Sequence, residues 1–413
     1  MSMAQADIAR PRLGAYAVFA ALLSAAGLPL YIHAPKFYVD TYGVSLAAMG
    51  AVLFGLRLID VVQDPLLGWL ADRLRQWRAV AVSVAVAALC AGMVGLFTAE
   101  PPGNPLIWFA AMLAIVFSSF SFLTICFYAQ GVTKADFLGE QGHLQLARWR
   151  ETGALLGICV ASIAPVVLGR VMDAPFAGFA AGFAILGLLA WRAMASEWVG
   201  SLRPNDGVWV VLSDRVARRL LIVAFLNAAP VAVSSTLFLF FVEARLDAPG
   251  WEGPLLLLFF MAAAVAAPIW GKAAERFGTR ATLLAGMALS VLAFGFALTL
   301  GTGDVAAFAA ICLASGAALG ADMTLLPALF AARVARISAP AGAGFGLWSF
   351  LSKLSLAFAA VLLLPGLQWF GFRPEGGSPE GALVALGLAY AGLPCSLKLV
   401  AIAVLARTDL KEI

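Results

Sequence analysis

Residues 57–73 read "RLIDVVQDPLLGWLADR", and the stretch makes two demands that ordinarily conflict. Most of it is apolar, as a membrane-crossing helix requires, yet Arg57, Asp60 and Asp64 fall within one short run. On a helix, positions 60 and 64 are i and i+4, so both carboxylates share a face about 5–6 Å apart. Arg57 lies three residues before Asp60 on the same side. A lone charge at mid-membrane costs about 2.5–3.5 kcal/mol on insertion scales, and two like charges cost more unless something neutralises them. The neutraliser is Arg57, a lysine from another span, a bound cation, or a proton on one acid. Paired carboxylates supply the oxygen ligands that hard cations such as Na⁺ favour, which makes Asp60 and Asp64 the candidate metal-ion site. A purely structural Arg57–Asp60 pair is the alternative, and it leaves Asp64 unexplained.

Outward from this turn, the chain is apolar almost everywhere. Of 413 residues, 62% are hydrophobic and 12% charged, against about 25% charged in soluble domains. Apolar runs of about 20 residues recur, each long enough to cross a hydrocarbon core of about 30 Å. They predict an all-α polytopic membrane protein with twelve spans. Six are expected near 13–35, 45–70, 79–98, 105–129, 149–168 and 174–194, and six near 219–241, 254–273, 281–299, 305–330, 344–366 and 382–405. The longest polar connection separates a half at 1–194 from a half at 219–413, with 195–218 as a cytoplasmic linker. Of the 27 Lys and Arg, 20 fall in segments that are cytoplasmic if the N-terminus is inside, so both termini are expected in the cytoplasm. The polar start "MSMAQADIARPR", before an overlong apolar run, argues against a cleavable leader. The net charge of +4 is thus a topology signal and does not suggest nucleic-acid binding.

Cysteines 90, 126, 159, 312 and 395 all fall in apolar runs without CxxC spacing and read as small buried hydrophobes. No GxxxxGK[ST] phosphate loop, nucleophile–base set or metal cluster is present, so no enzyme activity and no cofactor beyond a coupling ion is expected.

Residues 68–78, "GWLADRLRQWR", and 271–280, "GKAAERFGTR", follow the second and eighth spans. Each starts with Gly, places an acid and then Arg at its fifth and sixth positions, and ends basic, which marks an internal duplication. The pattern resembles the G-x-x-x-D-R-x-G-R-R loop of the major facilitator superfamily. That resemblance implies two pseudo-symmetric six-helix halves that alternate access to a midplane site. Gly68, Asp72, Arg73, Gly271, Glu275 and Arg276 are then read as gating structure. Gly68 permits close helix approach, and Asp72 is expected to pair with basic groups near a helix end.

The opening stretch also resembles, more specifically, the second-helix pattern R-x-x-D-x-x-x-D-P-x-x-G-x-x-x-D of the glycoside–pentoside–hexuronide cation symporters. It is complete here as Arg57, Asp60, Asp64, Pro65, Gly68 and Asp72. The resemblance implies that Asp60 and Asp64 bind the coupling cation, Na⁺ or H⁺. Lys353 in "GLWSFLSKLSLAFAA" (346–360) resembles the family's eleventh-helix lysine, and implies a cross-half counter-charge. Arg150 in "ARWRETGALLG" (147–157) resembles an arginine near the solute, although Arg148 and Glu151 read equally well as edge charges. Two departures matter. Melibiose permease-like members carry sugar-binding acids where this chain has Ser24 and Thr124. Galactoside recognition is therefore not expected, and Thr124 has only a hydroxyl oxygen to lend the cation.

Further solute-cavity candidates are His33, Tyr128, Asn227, Asp322 and Trp348. Asn227 and Pro230 in "FLNAAPVAVSS" are expected to break the seventh span and free carbonyls. Asp322 sits mid-span in "GADMTLLPALF", with Lys398 its partner or a separate cavity residue. Tyr128, Trp348, Phe127 and Trp149 are available to stack on a ring, though packing is the commoner role of such aromatics. The expected function is cation-coupled symport of a small polar solute, such as a sugar or glycoside, by a monomer in the inner membrane bilayer. A lipid or lysolipid transporter and a non-transporting receptor or assembly factor are the alternatives.

Overall fold

The computed structural model describes residues 11–198, 207–373 and 378–408. These are helical apart from turns and connections. In chain order the helices are α1 (Leu13–Ala25), α2 (Leu28–Tyr42), α3 (Leu46–Arg73), α4 (Arg78–Phe97), α5 (Pro105–Ala135), α6 (Gly142–Leu168) and α7 (Pro175–Met194). They continue as α8 (Trp209–Ser213), α9 (Arg215–Phe240), α10 (Glu252–Phe277), α11 (Thr279–Gly295), α12 (Val305–Arg336), α13 (Ala341–Trp369), α14 (Glu380–Gly387) and α15 (Leu393–Ala406). Single π-helical segments, Phe241–Arg245 and Leu388–Gly392, extend α9 and join α14 to α15. Among the described residues, ten helical stretches are long and apolar enough to cross a membrane. The other two expected spans are the first and the second, the latter being the charge-bearing α3 of 28 residues.

The first span differs from expectation. It is two helices, α1 and α2, interrupted at Ala26–Gly27, and α2 runs on to Tyr42. Pro29 stands in the first turn of α2, where its missing N–H costs nothing. Gly43 ends α2 at φ 66°, a left-handed conformation that glycine adopts without penalty. The seventh span is also corrected: α9 passes through Pro230 without a break. Proline removes one intrahelical bond, and the helix packs against α15. A third correction concerns residues 68–73 and 271–277. They are the last turns of α3 and α10 rather than loops, since α3 runs through Pro65 to Arg73 and α10 through Pro268 to Phe277. The linker expected at 195–218 includes α8, and its residues 199–206 lie outside the described residues.

The chain forms two compact units. Unit 1 comprises residues 1–211 with 334–350, and unit 2 comprises 212–333 with 351–413, so α13 begins in one and ends in the other. In unit 1, α1 packs on α6 and α7, α4 on α5 and α7, and α3 on α5. In unit 2, α15 packs on α9 and α11, and α11 on α10.

Paired small residues set the closest approaches, as helices in lipid require. A Cβ at Gly153 would lie 2.1 Å from Ala17 O, and one at Gly157 2.5 Å from Ala21 O, so α6 meets α1 backbone to backbone. Gly316 and Gly320 bring α12 equally close to Phe259 and Ala263 of α10.

One ion pair joins the start of α9 to the end of α12 in unit 2. Asp214 caps α9 through the Ala217 N–H at 2.7 Å, and Arg333 reaches its other oxygen at 2.7 Å. The hydrogen bond from Arg333 holds the Asp214 carboxyl below its usual range. A depressed folded pKa gives stability that is present above the unfolded value of about 3.9 and lost as pH falls through the folded one. Asp214→Ala is expected to remove about 1 kcal/mol at neutral pH. It should also weaken the loss of melting temperature below about pH 4, measured as thermal unfolding against pH.

Candidate functional site

Burial on α3 is inverted relative to a soluble helix. Leu58, Val62 and Leu66 are exposed at 47%, 65% and 66%, whereas Asp60 and Asp64 are buried at 6% and 0%. The apolar residues face outward and the acids face protein, which is how an apolar helix can carry charge through a bilayer. Pro65 removes the N–H that would bond the Val61 carbonyl, so an oxygen between the two acids lacks its intrahelical donor.

Asp60 is held by polar groups from two helices. Gln63 Nε2 donates to Asp60 Oδ1 at 3.0 Å, and Ser121 Oγ on α5 donates to the same oxygen at 3.1 Å. Ser118 Oγ in turn donates to Gln63 Oε1 at 2.9 Å. Thr124, one turn further along α5, has a buried hydroxyl with no hydrogen-bond partner among the described residues. One carboxylate, an amide and two hydroxyls thus meet between α3 and α5, with Asp64 one turn along α3 and Thr124 one turn along α5. Sequence reasoning named Asp60, Asp64 and Thr124 but missed Gln63, Ser118 and Ser121. The 3–4 residue spacing of 118, 121 and 124 was the available signal. Arg57 is half-buried one turn before Asp60. Among the described residues, no three His, Cys, Asp or Glu converge as a transition-metal site would require.

The end of α3 meets the start of α13 within unit 1. A Cβ at Gly68 would lie 2.6 Å from Gly342 O, and one at Gly346 2.8 Å from the Asp64 carbonyl. Asp72 accepts the N–H groups of Gly342 at 2.9 Å and Ala343 at 2.6 Å. Asp72 thus caps the N-terminus of α13, where a helix presents unsatisfied donors and partial positive charge, and the Arg78 and Arg75 charges act on it as well. Arg73 lies over the Trp69 ring at 5.0 Å, and Arg276 over Phe277 at 5.3 Å. Gly271 is buried and Glu275 half-buried on α10.

A second polar group in unit 1 centres on Arg150, buried at 4%, and Glu151, buried at 2%. Arg150 Nε donates to Glu151 Oε1 at 2.7 Å, and Tyr128 Oη donates to the same oxygen at 2.9 Å. The guanidinium sits 3.7 Å over the Tyr128 ring, and Tyr128 packs on Phe345, which packs on Trp348. Glu151 is thus a buried charge held by Arg150 and Tyr128. Arg150 Nη2 is buried without a hydrogen-bond partner among the described residues, so its N–H is open to donate to a solute oxygen.

Ser24 is half-buried in the last turn of α1, and the side chain of His33 lies outside the described residues. Lys353 is half-buried in the unit 2 part of α13. Asn227 and Asp322 are buried in unit 2 and both accept from Lys398.

Residues 14–412 match the family described as MFS/sugar transport protein. The chain belongs to that family. The MFS/sugar transport protein family comprises membrane transporters, not enzymes, and agrees with the resemblance to the cation symporters. The inner membrane symporter YicJ of Escherichia coli (strain K12) is 25% identical over 166 residues. That match spans 38% of this chain and 36% of the length of YicJ. The crystal structure of a bacterial homologue of the iron transporter ferroportin, in an outward-facing state, shares the fold with a TM-score of 0.67. It is 15% identical and covers 96% of this chain and 99% of its own. The iron-soaked structure of such a homologue gives a TM-score of 0.65 at 16% identity, with the same coverage. At such identities the likeness shows the fold alone.

Proposed function

We propose that this MFS/sugar transport protein is a secondary active symporter that couples a small polar solute to Na⁺ or H⁺ by alternating access. The observation that carries the reading is the pair of buried carboxylates one turn apart on α3, with Asp60 fixed by Gln63 and Ser121. Two charges about 6 Å apart repel by about 3 kcal/mol at an effective dielectric of 20. A cation or proton on the pair relieves that repulsion, so ion occupancy changes the energy of the turn at which α3 touches Gly346. Coupling requires that solute and ion each tighten the other's binding by the same factor. Ser24 and Thr124, in place of acids, point away from galactosides. Arg150 offers a buried donor suited to a hydroxylated or anionic solute. The distribution of Lys and Arg along the chain supports cytoplasmic termini in an inner-membrane protein.

Uptake of radiolabelled sugars, glycosides and hexuronides into proteoliposomes tests the reading, under imposed Na⁺ or H⁺ gradients. Accumulation driven by one gradient is expected, with Asp64→Asn reducing it at least tenfold while leaving exchange of the same solute measurable. Equal accumulation with and without either gradient would sink the symport reading.

A further inference from the structure

The strongest feature left unused by the α3 site is a polar cluster buried in unit 2. Lys398 Nζ on α15 donates to Asn227 Oδ1 on α9 at 2.5 Å and to Asp322 Oδ2 on α12. All three side chains are buried, Lys398 at 3%, Asp322 at 5% and Asn227 at 8%. Asp322 Oδ1 is also buried and has no hydrogen-bond partner among the described residues. A cavity of about 50 Å³ adjoins the pair, lined in part by Ser234, Phe259, Ser290, Ser315 and Cys395. At about 10–15 Å³ for the smallest space that holds one water, it has room for several waters beside the acid.

We infer that Asp322 and Lys398 form a second ion site, in the C-terminal half, whose ligand is a proton delivered through this cavity to Asp322 Oδ1. A pair that served only to tie helices would gain nothing from a water-sized space against its acid, and buried ion pairs contribute little net stability. Ionisable residues inside membrane spans mark substrate and ion pathways and proton relays. A metal cation is disfavoured because the Lys398 ammonium already occupies Asp322 Oδ2, and Na⁺ would have to displace it. A proton needs only the open oxygen. The facing groups on every helix around the cavity are few. Asn227 and Ser234 come from α9, Phe259 from α10, Ser290 from α11, Ser315 from α12, and Lys398 and Cys395 from α15. Among these, only Lys398 and Cys395 can titrate beside Asp322. When Oδ1 takes the proton, the carboxyl becomes neutral and the cluster goes from net zero to a single positive charge. Lys398 keeps Asn227 and loses its ionic hold on α12, so the link among α9, α12 and α15 loosens with acid.

Infrared difference spectroscopy of the full chain in lipid nanodiscs tests this in an Asp60→Asn, Asp64→Asn background, which removes bands from the α3 pair. Lowering the pH is expected to raise a protonated-carboxyl C=O band. Asp322→Glu shifts that band in frequency and Asp322→Asn removes it. Lys398→Gln shows it already at neutral pH, because the charge that holds the acid ionised is gone. Should Asp322→Asn fail to fold, the Glu and Gln variants still decide. No band that moves with Asp322→Glu at any pH at which the helices persist overturns the proposal. So does a band abolished by Na⁺ at constant pH, which would assign the site to a metal cation. The α3 pair is absent from this experiment, so its outcome is independent of the symport reading.

Discussion

Replacing Asp64 by asparagine is expected to erase the response of the protein's melting temperature to its coupling ion. In the wild type, a ligand that binds only the folded state stabilises it by RT ln(1 + [L]/Kd), about 2.7 kcal/mol at a hundred times Kd. Asp64 is fully buried beside Asp60, so the ion replaces a repulsion instead of competing with bulk water for an exposed carboxylate. Thermal unfolding in Na⁺, with Li⁺ and K⁺ at matched ionic strength, separates site binding from screening. A sodium-specific rise that vanishes in Asp64→Asn identifies the metal ion. If sodium does nothing and stability instead rises as pH falls, the folded pair holds a proton that the unfolded chain releases, since stability grows with falling pH wherever the native state binds more protons. A wild type indifferent to both would leave the pair a structural feature.

The second large effect belongs to the unit 2 cluster. Asp322→Ala strands the Lys398 ammonium, buried at 3%, with only Asn227 as partner. Removing one member of a buried pair costs about 3–5 kcal/mol, because the other charge stays desolvated. Adding Lys398→Met to the same chain is expected to recover most of that loss, since a hydrophobic replacement of the whole pair is often neutral. A double-mutant cycle on thermal or denaturant unfolding reads the coupling directly. Additive losses would mean that the two groups do not act as a pair.

Much of the fold and part of the candidate site are legible in the amino-acid sequence, for reasons that differ from element to element. Apolar run length reports a span because the bilayer sets a minimum length independent of neighbours. The i, i+4 placement of Asp60 and Asp64 follows from helix geometry alone. Asp64 and Pro65 are readable as a unit for the same reason, as is Gly68 as a site of close approach. The break at Gly27 escapes a sequence reading because a hydropathy window averages over one residue. The continuity of α9 through Pro230 escapes it because one lost hydrogen bond is outweighed by packing that a single sequence does not display.

What the sequence determined by itself is the local part: helical spans, the shared face of two acids, the duplicated Gly–acid–Arg ends of α3 and α10, and with them the class of transporter. Tertiary structure alone decided who satisfies whom. Asp72 caps α13 from a helix some 270 positions away in sequence, Ser121 rather than Thr124 holds Asp60, and Lys398 chooses Asp322 and Asn227. The physical reason is that helix geometry repeats every few residues, whereas a buried polar group is satisfied by whatever folding brings within about 3 Å, at any sequence separation.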